Sequence, residues 1–269
     1  SEMEEMARKC RVEICKMTHR AQAGHPGGSL SEIDILCGLY GHRLRVKPDD
    51  PDWEDRDRFI LSKGHASPGM YALLAEMGFI SHEDLKSYRV KGGVCQGHVD
   101  MKWCPGVDFS AGSLGMGLSF GMGCAVAAKL DGSSRNAYVM VGDGEIQEGS
   151  VWEAAMAATH HELGNLKLFV DCNGIQNDDF CEAQMRMFDI PAKWNAFGWA
   201  VKVIDGHDMT SIVDAIDWMD SVRDKPAVVI AKTIKGKGVS FMENNPAFHG
   251  AAPSDEQLAQ ALSELGVEA

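Results

Sequence analysis

The alternation of short apolar runs with helical patterns is the feature that most constrains the fold of this chain. Five runs rich in β-branched and other apolar residues predict buried strands at 58–62, 137–141, 166–171, 200–204 and 227–232. Helical patterns precede and separate them, at about 3–23, 29–40, 67–77, 114–130, 151–163, 209–221 and 254–265. Nearly continuous apolar strands separated by helices are typical of a parallel sheet covered on both faces. We therefore predict an α/β fold built as a three-layer, doubly wound parallel sheet.

Length and composition limit the kinds of protein that this chain can be. Its 269 residues suffice for one large α/β domain or two small ones. The net charge of −13 argues against nucleic acid or an anionic membrane as a partner, because both would repel the chain. No apolar run reaches the roughly 18 residues of a membrane span, and the charged N-terminal stretch is not a signal peptide. We expect a cytoplasmic protein.

The eight cysteines are scattered, and no two of them have C-x-x-C spacing. That spacing is typical of zinc and redox sites, so its absence argues against both. An even number of cysteines permits disulfides, but a chain of this length does not need them to hold a core. We therefore expect free thiols, as in a reducing compartment.

Small and polar residues follow two successive predicted strands. The sequence G-D-G-E occupies 142–145, directly after the strand at 137–141, and Asn173 follows the strand at 166–171. A carboxylate oxygen from Asp143 and an amide oxygen from Asn173 would suit a magnesium or calcium ion. Glycines let the backbone approach a charged ligand, and the N-terminus of a following helix favours an anion. The alternative is that both segments are simply turns.

Four of the ten histidines lie in loops rich in glycine or proline, namely His25, His65, His98 and His249. Histidine donates hydrogen bonds and can change its charge near neutral pH, so a cluster would suit a hydroxylated, phosphorylated sugar. The alternative for any one of them is a solvated surface residue. The other six histidines are interpreted as structural or solvated.

A glycine-rich segment at 110–118 leads into a predicted helix. Its spacing superficially matches a dinucleotide-binding fingerprint, but no clear strand precedes it and no acidic residue follows a second strand at the required place. A Rossmann site is therefore a poor interpretation. Small residues here instead let a helix pack closely, either against the sheet or against a second subunit.

These motifs occur in a fixed order: G-H-P-G-G, S-K-G-H, G-H-x-D, G-S-L-G, G-D-G-E and N-G-I. A G-D-G after one strand, with N-G after the next, is the fingerprint of thiamine-diphosphate enzymes. The full set, spanning residues 21–252, resembles the amino-terminal domain of transketolases. The resemblance implies the diphosphate-domain fold of that family and a single thiamine-diphosphate-binding domain at 1–269.

The resemblance also implies a set of cofactor-binding residues. A metal ion (magnesium, or else calcium or manganese) would be held by Asp143, Asn173 and the carbonyl of Ile175. Thiamine diphosphate would contact Asp143 and Asn173 as well as these residues: His65, Gly112, Ser113, Leu114, Gly142, Gly144 and Glu145. Close helix packing is the alternative role for the segment 112–114.

Five residues are candidate catalytic residues by the same resemblance: His25, His65, His98, His249 and Glu148. The resemblance assigns His25 and His249 to hydroxyls of a ketose donor, and His98 to the donor's first hydroxyl. The family has proline after this last histidine, whereas Val99 follows here, so the local loop geometry is open. Glu148 matches a position linked across the subunit interface to the glutamates that activate the cofactor ring. Its alternative role is a charge that favours a helix start.

Transketolases also need a pyrimidine-binding domain, and the motifs found here leave no room for one in 269 residues. We expect that domain on a separate chain, as in split transketolases, with the subunits in an α2β2 heterotetramer. The implied reaction transfers a two-carbon ketol unit from a ketose phosphate to an aldose. The histidine series favours this reaction because it fits polyol donors. The alternatives are a subunit resembling deoxyxylulose-phosphate synthase, one resembling a 2-oxoacid dehydrogenase, and a non-catalytic cofactor-binding partner.

Overall fold

The computed structural model describes residues 1–267, and a sheet of five parallel strands lies at the centre of this part of the chain. The strands are β1 (Arg58–Leu61), β2 (Ala137–Gly142), β3 (Leu166–Cys172), β4 (Ala200–Asp205) and β5 (Ala227–Lys232). Their order across the sheet is β1-β2-β3-β5-β4, so β5 lies between β3 and the edge strand β4. β-Branched side chains are frequent in these strands because they pack well on a pleated surface.

The helices of the described residues cover both faces of the sheet. They are α1 (Glu2–Ala21), α2 (Pro26–His42), α3 (Ser67–Glu76), α4 (Met116–Leu130), α5 (Gly149–His160), α6 (Cys181–Gln184), α7 (Ile190–Ala196), α8 (Met209–Ser221) and α9 (Asp255–Glu264). No helix within residues 1–267 is both long enough and apolar enough to cross a membrane.

Successive residues of each strand point to opposite faces of the sheet and so enter two separate cores. In β1, Phe59 and Leu61 join one core, and Ile60 joins the other. The first core also contains residues of α1, α2, α3, α8 and α9, and the second contains residues of α4, α5 and α7. The three-layer α/β fold predicted from the sequence is therefore confirmed.

All five predicted strands are present, and none of their bounds differs from the prediction by more than one residue. Helices α6 and α7 were not predicted from the sequence. They have four and seven residues, which is less than two helical turns, so neither shows a clear apolar period. The start of α7 nevertheless carries a signal, because the Asp189 side chain accepts a hydrogen bond from Ala192 N–H and Pro191 occupies the first turn.

Helix α2 begins three residues earlier than predicted, at Pro26. Proline is favoured in the first turn of a helix because its fixed φ suits the helix and its missing N–H is not needed there. His25 is the N-cap residue, but its side chain makes no capping hydrogen bond. The imidazole is therefore free to face the carboxyl edge of the sheet.

The strand register brings the carboxyl ends of the central strands to one edge. Gly142 pairs with Asp171, and Asp171 pairs with Ala231. The loops that follow β2, β3 and β5 therefore begin side by side. Ligands of parallel sheets bind at this edge. All eight cysteines are free, as predicted.

Candidate active site

A cavity of about 420 Å³ opens at the carboxyl edge of the sheet. Most of the predicted site residues line it: His25, His65, His98, His249, Gly112, Leu114, Gly142, Gly144, Glu145, Glu148 and Asn173. Asp143 and Ile175 are buried beside its wall. Ser113 is exposed and does not line the cavity, although both of its neighbours do.

A second cleft, of about 440 Å³, lies at the opposite edge of the sheet. It is lined by Asn136 and Asn165, which precede β2 and β3, together with residues such as Arg223. None of the predicted site residues lines it. The amino ends of parallel strands are not where ligands of this fold class bind, so the carboxyl-edge cavity is the candidate active site.

The four predicted loop histidines converge in this cavity. The ring centroid of His25 lies 5.0 Å from that of His65, 5.4 Å from that of His249 and 6.2 Å from that of His98. The rings of His65 and His249 are 5.2 Å apart. Four separate loops therefore deliver one cluster, which isolated surface histidines would not form.

Burial lowers the pKa of every histidine in the cluster. It lowers the pKa of His25 to about 4 and that of His249 to about 3. The pKa of His65 lies well below its ordinary value, and that of His98 moves in the same direction. The positive charge of Arg89 adds to the effect on His25 and His98. The four imidazoles are neutral at pH 7, so each offers one donor and one acceptor nitrogen.

Hydrogen bonding defines the proton position on His249. The Nζ atom of Lys235 lies 2.6 Å from Nδ1 of His249. An ammonium group only donates, so Nδ1 accepts and the proton of the neutral ring is on Nε2. Nδ1 of His25 is buried and has no hydrogen-bond partner among residues 1–267. The His25 ring lines the cavity, so its other nitrogen, Nε2, is the atom available to a ligand.

Asp143 and Asn173 meet where β2 and β3 end. The two carboxylate oxygens of Asp143 accept the N–H groups of Gly144, at 2.8 Å, and of Gly174, at 2.6 Å. Gly174 has a φ of 79°, a left-handed conformation that glycine adopts without strain, and it closes the turn onto Asp143. Oδ1 of Asn173 accepts the N–H of Ile175 at 3.1 Å. The loops after two strands are thus joined at one point.

The oxygen atoms at this point fit a hard divalent cation. Burial raises the pKa of Asp143 to about 6, against the opposing effect of the Lys235 charge. A buried carboxylate whose ionised form is disfavoured by burial favours a metal ion. Carboxylate, amide and backbone carbonyl oxygens, as on Asp143, Asn173 and Ile175, are the ligand types of magnesium and calcium.

Residues 1–267 contain no group of three or more His, Cys, Asp or Glu side chains placed to hold a metal ion. The predicted ligand set does not belong to that class of site, because it has one such side chain, an amide and a backbone carbonyl. A sequence search for acidic or histidine clusters would therefore overlook it.

Two buried lysines of the cavity, Lys63 and Lys235, were not predicted as site residues. They are 3% and 2% exposed, and both line the cavity. Nζ of Lys63 donates to Asp171 at 2.5 Å, and Nζ of Lys235 donates to the carbonyl of Ile175 at 3.0 Å. Burial lowers the pKa of Lys235 to about 8. In the sequence, each lysine directly precedes a glycine and follows closely after a strand. That pattern could have identified both lysines as site residues.

Glu145 holds the glycine-rich loops together. Its carboxylate accepts the N–H groups of Gly115, at 2.8 Å, and of Gly142, at 3.0 Å, and the hydroxyl of Ser62. Glu148 also lines the cavity but, unlike the buried Glu145, it is exposed. It precedes α5 without making a side-chain capping bond. Its carboxylate is therefore available to a ligand or to another chain.

Val99 stands where the family has proline after His98, and the structure shows how this loop is held in place. Val99 is 2% exposed, and its N–H donates to the carbonyl of Gly64 at 3.3 Å, a bond that proline could not make. Its carbonyl accepts the N–H of Ala111 at 3.0 Å, and the carbonyl of His98 accepts the Tyr71 hydroxyl at 3.1 Å. The loop is anchored with the His98 ring inside the cluster.

Comparison with known proteins identifies the family of this chain. Residues 3–269 match the family described as "Transketolase, thiamine diphosphate binding domain". The chain belongs to the transketolase family. The resemblance inferred from the motif order is thus confirmed, as is the enzyme class, a thiamine-diphosphate-dependent transferase of the transketolase type.

Two similar transketolase relatives are separate subunits. An apulose-4-phosphate transketolase subunit from Phocaeicola vulgatus is 39% identical over 98% of this chain and 93% of its own length. The 6-deoxy-6-sulfo-D-fructose transketolase subunit SqwG of a Clostridium species is 40% identical over 91% of this chain and 89% of its own length. The prediction of a diphosphate-binding subunit of the split type agrees with these relatives.

Solved transketolases share the fold of this chain but are longer. A transketolase variant from Pichia stipitis superposes with a TM-score of 0.95 at 31% identity, covering 100% of this chain and 41% of that one. The Campylobacter jejuni transketolase gives a TM-score of 0.94 at 32% identity, covering 99% and 43%. This transketolase-family chain therefore spans less than half the length of those enzymes.

Proposed function

We propose that this chain is the diphosphate-binding subunit of a split transketolase. Acting with a second subunit that carries the pyrimidine-binding domain, it would transfer a two-carbon ketol unit from a ketose phosphate donor to an aldose acceptor. The main supporting observation is that four histidines with lowered pKa values share one cavity with Asn173 and two buried lysines. Relatives named as transketolase subunits support the split arrangement.

The cavity offers a place for each charged part of the cofactor. Asp143, Asn173 and the carbonyl of Ile175 would hold the divalent cation, and the ammonium groups of Lys63 and Lys235 would face the diphosphate. When bound, thiamine diphosphate supplies the nucleophilic carbon and the electron sink that carbon–carbon bond cleavage requires. The residues of this chain supply binding, orientation and exclusion of water.

The histidines would bind the sugar. Because they are neutral, each can accept from one hydroxyl and donate to another without bringing a positive charge into the cavity. The Nε2–H of His249 is the donor, since Nδ1 is taken by Lys235. The His25 ring also lines the cavity and would contact a second hydroxyl through Nε2. A ketose with adjacent hydroxyls matches such an array.

A partner surface lies beside the cavity on α4. Met116, Phe120, Gly123 and Ala127 are all exposed, and their spacing puts them on one side of the helix. The stripe begins next to Leu114, which lines the cavity. An uncharged exposed stripe of this kind favours a protein interface. We propose that the pyrimidine-domain subunit covers it, in an α2β2 assembly in the cytoplasm.

The test is a reconstitution with the pyrimidine-domain subunit, magnesium and thiamine diphosphate. Calorimetry should detect cofactor binding, and a coupled assay should detect ketol transfer between sugar phosphates. Asp143→Ala should abolish both, whereas Asp217→Ala, at an exposed carboxylate, should leave both unchanged. Cofactor binding without any transfer would favour the non-catalytic alternative. Absence of cofactor uptake by the wild-type pair would refute the proposal.

A further inference from the structure

A buried acid on α2 lies behind the cavity and takes no part in the site described above. Glu32 has no exposed surface. Its Oε2 atom lies 2.9 Å from Nζ of Lys63, yet neither carboxylate oxygen receives an aligned hydrogen bond from residues 1–267. The ammonium group of Lys63 is instead directed at Asp171 and at the carbonyl of Gly28, 2.5 and 3.0 Å away.

Asp171 already balances the charge of Lys63. Besides the lysine, its carboxylate accepts the hydroxyl of Ser31 at 2.6 Å and that of Thr233. Although burial opposes it, Lys63 and these hydroxyls keep the pKa of Asp171 below its usual range. Lys63 and Asp171 therefore form a neutral pair. An ionised Glu32 would add one uncompensated negative charge behind a cavity that must accept an anion.

The Glu32 carboxyl cannot move far from this position. A Cβ atom at Gly69 of α3 would lie 2.8 Å from Oε1 of Glu32, so the two helices are in close contact here. The charged groups that face the carboxyl are Lys63, in the loop after β1, and Asp171, on β3. On α3, the residue that faces the carboxyl is Gly69, which carries no charge. Burial raises the pKa of Glu32 to about 8, against the opposing effect of Lys63.

Lys63 connects this acid to the cavity, because its side chain lines the cavity wall while its ammonium group lies between the two carboxylates. We propose that Glu32 is a positioning residue whose proton keeps Lys63 available to the cofactor's diphosphate, so that cofactor binding and protonation of Glu32 are coupled. This inference rests on the proposed diphosphate site. When Glu32 is ionised in the free protein, binding of one cofactor molecule requires the uptake of one proton by Glu32.

Glu32→Gln tests the coupling, because glutamine keeps the shape of the side chain and cannot ionise. Binding of thiamine diphosphate with magnesium is measured by calorimetry on the assembled protein from pH 6.5 to 9.5, in two buffers with different ionisation heats. We expect wild-type affinity to fall by up to about tenfold per pH unit above pH 8, relative to the variant. Proton uptake should accompany wild-type binding at pH 9 and should be smaller by one proton in the variant.

The comparison between the two proteins isolates Glu32, since Lys235 titrates in both. Equal pH dependence and equal proton uptake would overturn the inference while leaving the proposed function intact. Absence of cofactor binding in both proteins would overturn both the inference and the proposed function, whereas loss of binding in the variant alone would overturn only the inference. Should Glu32→Gln fail to fold, infrared spectroscopy of the wild type gives the answer: the carbonyl band of a protonated acid should persist to pH 9 with cofactor and vanish without it. A band unaffected by cofactor would refute the coupling.

Discussion

Single side chains in the cavity owe their chemistry to burial and to their neighbours. Lys235 shows this clearly, because one ammonium group contacts both the Ile175 carbonyl and Nδ1 of His249. It therefore connects the proposed cation site to the proposed sugar site. Neither contact is visible in the sequence, where Lys235 and Ile175 lie 60 positions apart.

Lys235→Met tests both roles, because cofactor affinity reports on the first and the pKa of His249 reports on the second. The variant keeps the length of the side chain but loses both bonds, so cofactor affinity should fall about tenfold to a hundredfold, as for charged hydrogen bonds. The pKa of His249 should rise toward its usual value, since the lysine adds to the effect of burial. Calorimetry and NMR titration measure these two quantities. Lys237→Met, on the same loop, is the control and should change neither.

The neutral histidines predict a loss of stability in acid. The pKa values of His25 and His249 lie below the ordinary 6.5 in the folded chain, so below that pH the unfolded chain binds protons that the folded chain does not. Stability is therefore complete above pH 6.5 and falls as the pH drops toward 4. Each histidine contributes at most about 1.4 kcal/mol per pH unit. His25→Asn and His249→Asn should flatten the dependence in denaturant titrations, and the exposed His82→Asn should not.

At the scale of elements, α4 presents glycines on two sides for different reasons. A Cβ atom at Gly121 would lie 2.4 Å from Cγ2 of Val139 on β2, whereas one at Gly123 would meet nothing within 4 Å. From the sequence, the small residues that lead into this helix could pack either on the sheet or on a second subunit. In this structure Gly121 packs on the sheet and Gly123 faces outward.

Alanine substitutions at these two glycines form a matched pair. Gly121→Ala should destabilise the isolated chain by about 1–3 kcal/mol through overpacking. Gly123→Ala should leave stability unchanged or raise it by up to about 1 kcal/mol, because alanine favours the helix. Chemical denaturation of both variants measures the difference. Equal effects would contradict the assignment of the two faces.

The outward stripe of α4 also makes a prediction about assembly. Met116→Glu places a charge in the proposed interface, at a helix start that tolerates an acidic residue. It should weaken binding of the pyrimidine-domain subunit by about tenfold or more without lowering the stability of the isolated chain. Val203→Glu, at an exposed position of the edge strand β4, is the control. Light scattering of coexpressed subunits distinguishes the two variants, and intact assembly of Met116→Glu would exclude this surface.

For the whole molecule, we expect this chain alone to catalyse no ketol transfer at a rate above background. Relatives of matching length are named as subunits, and the proposed site adjoins an exposed uncharged stripe on α4. Adding the pyrimidine-domain subunit should restore transfer, with activity saturating at an equal number of the two chains. A coupled spectrophotometric assay provides the measurement. Full activity from a verified single-chain preparation would contradict the split assignment.

The sequence by itself determined the strands, the three-layer fold, the family and most of the cavity residues. Apolar periodicity and turn residues are local properties. The order of the glycine and histidine motifs along the chain is likewise readable from the sequence, and it matches that of the transketolase family. This explains why Asp143, Asn173 and the four histidines could be predicted before their positions were known.

Only the tertiary structure decided the contacts, the burial and the charge states of these residues. It brought Lys63, Asp171 and Glu32 together from three separate elements, and it placed Lys235 between a carbonyl and an imidazole. Burial, and with it the charge state of each group, depends on neighbours distant in the chain. Charge state and partnership are therefore properties of packing, which no local pattern of residues encodes.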